Sequence, residues 1–306
     1  MPRERNGRAP ALEAVSRELA ALTARVLKAT VAITGPTSEG SSSGSGFFLD
    51  TKGHILTNHH VVEGMTPPIK IMLHGGTTAL AGVVGADRVA DLAVLKLDRP
   101  WRHVLRVRLA AARAGELCLA FGNPLGRYPE SVTIGVVSGL ARTASAGPGL
   151  PHYHLLQTDC DVQEGNSGGP LVDGRGRVIG VTMLLERDSP HIGLAVPVST
   201  LRAVVPELMK HGRVARATLG VSVAPRRRAV RGRETHGLEV VGITRERGQR
   251  LRAGDFIVKV GRARVPDPPS LFALLGREQV GRSLHLDVIR HGKRMAITVK
   301  PWRLET

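Results

Sequence analysis

The sequence predicts a mainly β protein of two domains with a helix in front of them, and three observations carry that expectation. The chain has 306 residues, and domains run to ~100–200 residues, which gives two. From Val31 onward, short apolar runs recur between Gly, Asn, Asp and Pro, the punctuation of strands in a barrel or sandwich. The charge is also uneven. Of the net +17, residues 217–306 carry +11 (19 Lys and Arg against 8 Asp and Glu), whereas residues 31–216 carry +3 (18 against 15). Such asymmetry points to modules with different partners.

Taken in order, residues 1–30 form an N-terminal helical segment. Leu12, Val15, Leu19, Leu22 and Val26 fall at three- and four-residue intervals, the period of a helix that packs one face. Residues 31–211 hold the runs SGFFLD, HILT, IKIML, ALAGVVG, LAVLKL, ELCLAFG, SVTIGVVSGL, VIGVTML and IGLAV, each of strand length. Glu39–Gly46 (EGSSSGSG) reads as a flexible loop by its composition. Ser199–His211 reads as a helix capped by Ser199 or Thr200, with Pro206 weakening or dividing it. Gly212–Ala217 is the expected connection. Residues 217–306 then supply the strands LGVSV, GLEVVGI, DFIVKV, LHLDVIR and MAITVK and one helix over SLFALLGRE. Between the first two of these strands, Pro225–Arg233 holds five Arg in nine residues and reads as a solvated loop.

Composition excludes several classes. No stretch approaches the ~18 consecutive apolar residues of a membrane span. Aromatic residues are 3% of the chain, too few for a base-stacking platform. Two Cys exclude a disulfide scaffold, and neither lies in a CxxC motif. Cys118 is expected in the core, and Cys160 to pack as a small residue. The twelve His form no HExxH or comparable cluster, so neither a metal nor another cofactor is expected. The N-terminus has charges throughout and no apolar leader core, so the chain as written is expected in the cytoplasm. A start lying upstream would make it periplasmic or otherwise extracytoplasmic.

Three segments carry chemistry: Thr57-Asn58-His59-His60-Val61-Val62, Asp91-Leu92-Ala93-Val94-Leu95 and Gly165-Asn166-Ser167-Gly168-Gly169-Pro170. A serine hydroxyl is a weak nucleophile until an imidazole takes its proton. The imidazole needs a carboxylate on its other nitrogen to fix the tautomer and stabilise the imidazolium. Glycines around the serine let backbone N–H groups converge on a developing oxyanion. Each segment alone has an ordinary structural explanation as a strand end, a turn or a loop, and their joint occurrence is far harder to dismiss. Gly165-Asn166-Ser167-Gly168-Gly169 also fits the G-x-S-x-G elbow, but that motif requires a helix directly after the serine. Here LVDGRGRVIGV follows, a strand, a turn and a strand.

GSGFFLDTKGHILTNHHVVEG, DRVADLAVLKL, LAFGNPLG, TIGVVSGLAR, QTDCDVQEGNSGGPLVD and IGLAVP resemble, in order, the signature segments of HtrA/Deg serine proteases over about residues 31–200. The resemblance implies a chymotrypsin-like double β-barrel with the triad His60, Asp91 and Ser167. His60 is chosen over His59 because it directly precedes Val61-Val62. It also implies an oxyanion hole at Gly165, Asn166 and Ser167, able to take inactive and active arrangements, and an activation-sensing loop at 141–154. The last ninety residues resemble a PDZ domain, with Thr218, Leu219, Gly220 and Val221 in the place of the carboxylate-binding loop. A peptide C-terminus would bind there by strand addition.

Specificity stays open at this stage. Asp161, six residues before Ser167, is either an acid at the base of the primary pocket, favouring Arg or Lys, or an exposed loop acid. The resemblance implies small or medium aliphatic side chains, with Val162, Gly193, Leu194 and Ala195 as pocket walls. The expected function is an endopeptidase acting on unfolded or misfolded protein, with a homotrimer as the implied assembly. The alternatives are a latent protease that acts mainly as a client-binding chaperone, and a basic adaptor at an anionic surface or nucleic acid.

Overall fold

The computed structural model describes residues 9–123, 130–144, 152–183, 192–230, 232–245 and 248–304. The chain divides into two compact units, Met1–Val214 and Ala215–Thr306.

The first unit opens with helix α1 (Ala9–Leu27). Its last two turns pack: Leu22 and Val26 are buried, whereas Leu12 and Val15 are exposed. Six strands follow, β1 (Thr30–Thr37), β2 (Gly40–Phe48), β3 (His54–Thr57), β4 (Ile69–Met72), β5 (Thr78–Asp87) and β6 (Leu92–Leu97), with the helical turn α2 (His59–Val62) after β3. They close as an antiparallel barrel in the order β1-β2-β3-β6-β5-β4. A second barrel, ordered β10-β11-β12-β9-β8-β7, comprises β7 (Leu117–Gly122), β8 (Ser131–Ala144), β9 (His152–Thr158), β10 (Pro170–Asp173), β11 (Val178–Met183) and β12 (Gly193–Pro197). Helix α3 (Val198–His211) ends the unit.

Residues alternate between the faces of a strand, and on β6 both faces are buried. Ala93, Leu95 and Leu97 join the first barrel's own cluster with Ile33, Phe48 and Ile55. Leu92 and Val94 join a shared cluster with Phe121 and Val172 of the second barrel, Val26 of α1, and Leu201, Val204 and Leu208 of α3. The second barrel has its own cluster, including Cys118, Ala120, Leu156, Leu171 and Ile179. This double burial is why such strands read as unbroken apolar runs.

Two expectations for the first unit need correction. Glu39–Gly46 is not a flexible loop: most of it is β2, paired with β1 from Thr30↔Phe47 to Thr37↔Gly40. Its small residues answer to close approach. A Cβ on Gly44 would lie 2.6 Å from Val61 Cγ2, and one on Gly46 would lie 2.9 Å from Ile33 Cδ1. Helix α3 begins at Val198 behind Pro197, with no side-chain cap from Ser199 or Thr200. Pro206 does not divide it: the helix runs through the exposed proline to His211, and burial of Val198, Leu201, Val204 and Leu208 offsets the backbone hydrogen bond that the proline cannot donate. Gly212 ends the helix in the left-handed region (φ 71°), its N–H bonded to Leu208 O.

The second unit contains β13 (Ala217–Thr218), β14 (Val221–Val230), β15 (Arg233–Ile243), β16 (Phe256–Val260), β17 (Ala263–Arg264), α4 (Pro268–Phe272), β18 (Leu284–Arg290), β19 (Lys293–Val299) and β20 (Trp302–Arg303). The main sheet is ordered β14-β15-β16-β18-β19, with β17 on β16, and β13 pairs β20. Its core gathers Leu219, Leu238, Ile257, Leu271, Leu286 and Val288. The Arg-rich stretch is not a solvated loop. Pro225–Val230 lies within β14, which pairs with β15 as far as Val230↔Arg233. Arg226 and Arg228 pair with Glu239, and Arg227 pairs with Glu234. Arg231 lies outside the described residues. The helix expected over SLFALLGRE starts at Pro268 and stops at Phe272. Gly276 is extended and bridges Arg216, so the helix cannot propagate through it.

Asp255, buried at the head of β16, accepts hydrogen bonds from Arg290 Nε (2.6 Å), Arg290 Nη2 (2.8 Å) and Arg252 N (2.8 Å). Removing one partner of such a pair leaves the other uncompensated. Asp255→Ala is expected to destabilise the second unit by about 3 kcal/mol, read as faster hydrogen exchange of the β16 amides in the full chain.

Candidate active site

The segment that carries His60 is the turn α2, directly after β3. Asp91 lies between β5 and β6 in the left-handed region (φ 51°), a conformation that Asp tolerates better than most residues. Its two carboxylate oxygens grip one residue: Oδ1 accepts from His60 N (2.9 Å) and Oδ2 faces His60 Nδ1 (2.7 Å). A carboxylate at Nδ1 makes that nitrogen the donor, which leaves the lone pair of the neutral ring on Nε2. Asn58, fully buried, donates from Nδ2 to Asp91 O (2.8 Å) and holds the acid from behind. His59 instead lies 4.0 Å from Glu63.

Burial is the largest influence on the His60 imidazole and disfavours its charge. The hydrogen bond and charge of Asp91, with a smaller contribution from Glu63, outweigh it, so the pKa is raised.

Ser167 sits in the loop between β9 and β10, and both barrels fasten that loop. From the first barrel, Ser45 N donates to Ser167 O (2.8 Å) and Ser45 Oγ donates to Gly165 O (2.7 Å). From the second, Thr182 Oγ1 donates to Asn166 O (2.7 Å), and Gly168 N donates to Thr182 O (2.8 Å). Gly165 and Gly168 have φ of 93° and 87°, values that favour glycine. A Cβ on Gly168 would overlap Ser45 O and Thr57 Oγ1. The His60 and Ser167 segments meet at β2, because a Cβ on Gly44 would contact both Val61 and Ser167 O. Ser45 and Thr182, both fully buried, are not singled out by sequence reasoning. The signal that could have found Ser45 is its place between two glycines in an otherwise strand-like run.

Around the expected pocket the outcome is mixed. Asp161 is exposed and accepts from Gln163 Nε2 (2.8 Å), so it is not a buried acid. Val162 is buried, and a Cβ on Gly193 would lie 2.8 Å from Val162 Cγ2. Leu194 and Ala195 lie on β12 with their side chains in the hydrophobic clusters. Cys118 and Cys160 are fully buried free thiols with sulfurs 3.8 Å apart. Of loop 141–154, residues 145–151 lie outside the described residues. Among the described residues no group of His, Cys, Asp and Glu could hold a metal ion, and no helix is long and apolar enough to cross a membrane.

Two barrels with an Asp-His pair on one and a serine loop fastened by both define a trypsin-like peptidase architecture, and residues 44–181 match the Trypsin-like peptidase domain. The chain is 33% identical over 282 residues to Protease Do-like 1, chloroplastic, of Arabidopsis thaliana, covering 85% of this chain and 64% of that protein. It is 33% identical over 285 residues to the serine protease Do-like HtrA of Lactobacillus helveticus, covering 85% and 68%. The chain thus spans somewhat less than two thirds of the length of the Arabidopsis relative. Among solved structures, an HtrA-type protease, AlgW, with a tripeptide superposes with a TM-score of 0.80 at 29% identity, covering 94% of this chain and 97% of that one. The chain belongs to the HtrA (Do-like) family of serine proteases.

Gly168→Ala would force a methyl group onto Ser45 O and Thr57 Oγ1 in a left-handed backbone. A loss of at least ~2 kcal/mol is expected from strain and overpacking, measured by chemical denaturation.

Proposed function

We propose that the protein is a serine endopeptidase that cleaves unfolded or misfolded protein segments. The observation that carries this is the two-oxygen grip of Asp91 on His60 together with the doubly fastened Ser167 loop. Ser167 Oγ attacks the peptide carbonyl and His60 Nε2 takes its proton. The tetrahedral oxyanion is held by the N–H groups of Gly165 and Ser167. Collapse releases the amine, which receives the proton from His60, and water then hydrolyses the acyl-enzyme by the same steps. Asp91 keeps Nδ1 protonated and stabilises the imidazolium. With Asp161 exposed, small or medium aliphatic side chains beside Val162 and Gly193 are the expected preference.

In the second unit, a PDZ-like role is supported by Thr218, Leu219, Gly220 and Val221 leading into the edge strand β14. Gly220 is left-handed (φ 69°), and an edge strand can accept an extended peptide by strand addition. The solved relative's tripeptide fits a peptide-binding function. A homotrimer belongs to the same proposal by family resemblance.

Purified wild type is expected to degrade casein, and Ser167→Ala to lose about a millionfold in kcat. An inert wild type, even with C-terminal peptides added, would favour the client-binding alternative. Activity requires neutral His60. Because its pKa is raised, activity should fall as pH drops through a midpoint above the ordinary imidazole value. Asp91→Asn should move that midpoint down and lower kcat by about 10⁴, seen in kcat–pH profiles.

A further inference from the structure

We propose that Ser45 is a positioning residue that sets the oxyanion loop in its working geometry from the opposite barrel. The inference rests on the peptidase function proposed above. Ser45 is fully buried, and each of its polar groups is committed. Oγ donates to Gly165 O (2.7 Å) and accepts from Asn123 N (2.9 Å). The backbone N donates to Ser167 O (2.8 Å), and the backbone O accepts from Thr57 Oγ1 (2.7 Å).

A peptide group is planar, so fixing a carbonyl fixes the N–H on the same plane. Ser45 Oγ fixes the plane between Gly165 and Asn166, while Ser45 N fixes the plane between Ser167 and Gly168. Thr182 Oγ1, through Asn166 O, fixes the plane that carries the Ser167 N–H. Gly165 has no side chain to restrict its rotation. The loop holds this plane from within through Asn166 N, which donates to Gln163 O (3.0 Å), and the Ser45 hydroxyl adds a second restraint from the opposite barrel. The Gly165 N–H lies on the preceding plane, shared with Glu164, and is coupled to the held carbonyl through rotation at Gly165. Without the Ser45 hydroxyl that rotation is freer and the Gly165 donor is less firmly preorganised, while Thr182 still holds the plane of the Ser167 N–H.

The test compares wild type, Ser45→Ala and Ser45→Cys, each active-site titrated with a fluorophosphonate and assayed on a peptide substrate. Removing an oxyanion donor costs about 100–1,000-fold. Misplacing one should lower kcat per titrated site by about 10–100-fold, with KM within about twofold. A peptide boronate, which forms a tetrahedral adduct, should weaken in parallel, while a product peptide should not. The Cys variant is larger but keeps a side-chain donor, weaker than the hydroxyl, and it carries the same test if the Ala variant does not fold. Variants with fewer active sites but unchanged kcat per site would overturn the inference, as would a change confined to KM. If wild type neither cleaves nor reacts with the fluorophosphonate, the peptidase function itself fails and the inference falls with it.

Discussion

The hydrogen bond from Ser45 Oγ to Gly165 O crosses between barrels at the point where the serine's loop turns. With the bond from Ser45 N to Ser167 O, it fastens a glycine-rich segment that has little conformational preference of its own. The second barrel answers through Thr182. His60 and Asp91 come from the first barrel and Ser167 from the loop that leads into the second, so in the proposed triad their alignment depends on this seam. The first barrel supplies its pair as one rigid piece, because Asp91 binds both the backbone and the ring of His60.

Behind the seam lies the shared hydrophobic cluster. Leu92 and Val94 extend β6, at whose head Asp91 sits, into the same cluster as Phe121 and Val172. Burying apolar side chains there stabilises the contact that the polar seam orients. Helices α1 and α3 contribute Leu22, Val26, Leu201, Val204 and Leu208.

Much of this is legible in the sequence. The strands are readable because double burial makes them short apolar runs, and the three chemical segments because glycine, histidine and serine are grouped in ways that catalysis demands. Composition misleads where small or charged residues are present for other reasons. Glycine and serine in β2 suit close packing against Val61 and Ile33, yet the same residues make flexible loops. The arginines of β14 suit a strand whose neighbour offers Glu234 and Glu239. The helix over SLFALLGRE ends at Phe272, and the residues beyond it are taken up by long-range pairing, Leu275 O with Ala217 N and Gly276 with Arg216. Ser45 leaves only the trace of its two flanking glycines in the sequence, because its importance comes from a partner 120 residues away in the chain.

The fit of Gly168 against Ser45 O and Thr57 Oγ1 has a consequence for recombination. Strand 40–48 and loop 165–169 form one functional unit split between two barrels. A chimera that takes its second barrel from a relative must carry the matching β2 with it, although that strand lies in the other half of the peptidase unit. Breakpoints that respect barrel boundaries alone would separate the Ser167 loop from the residues that shape it.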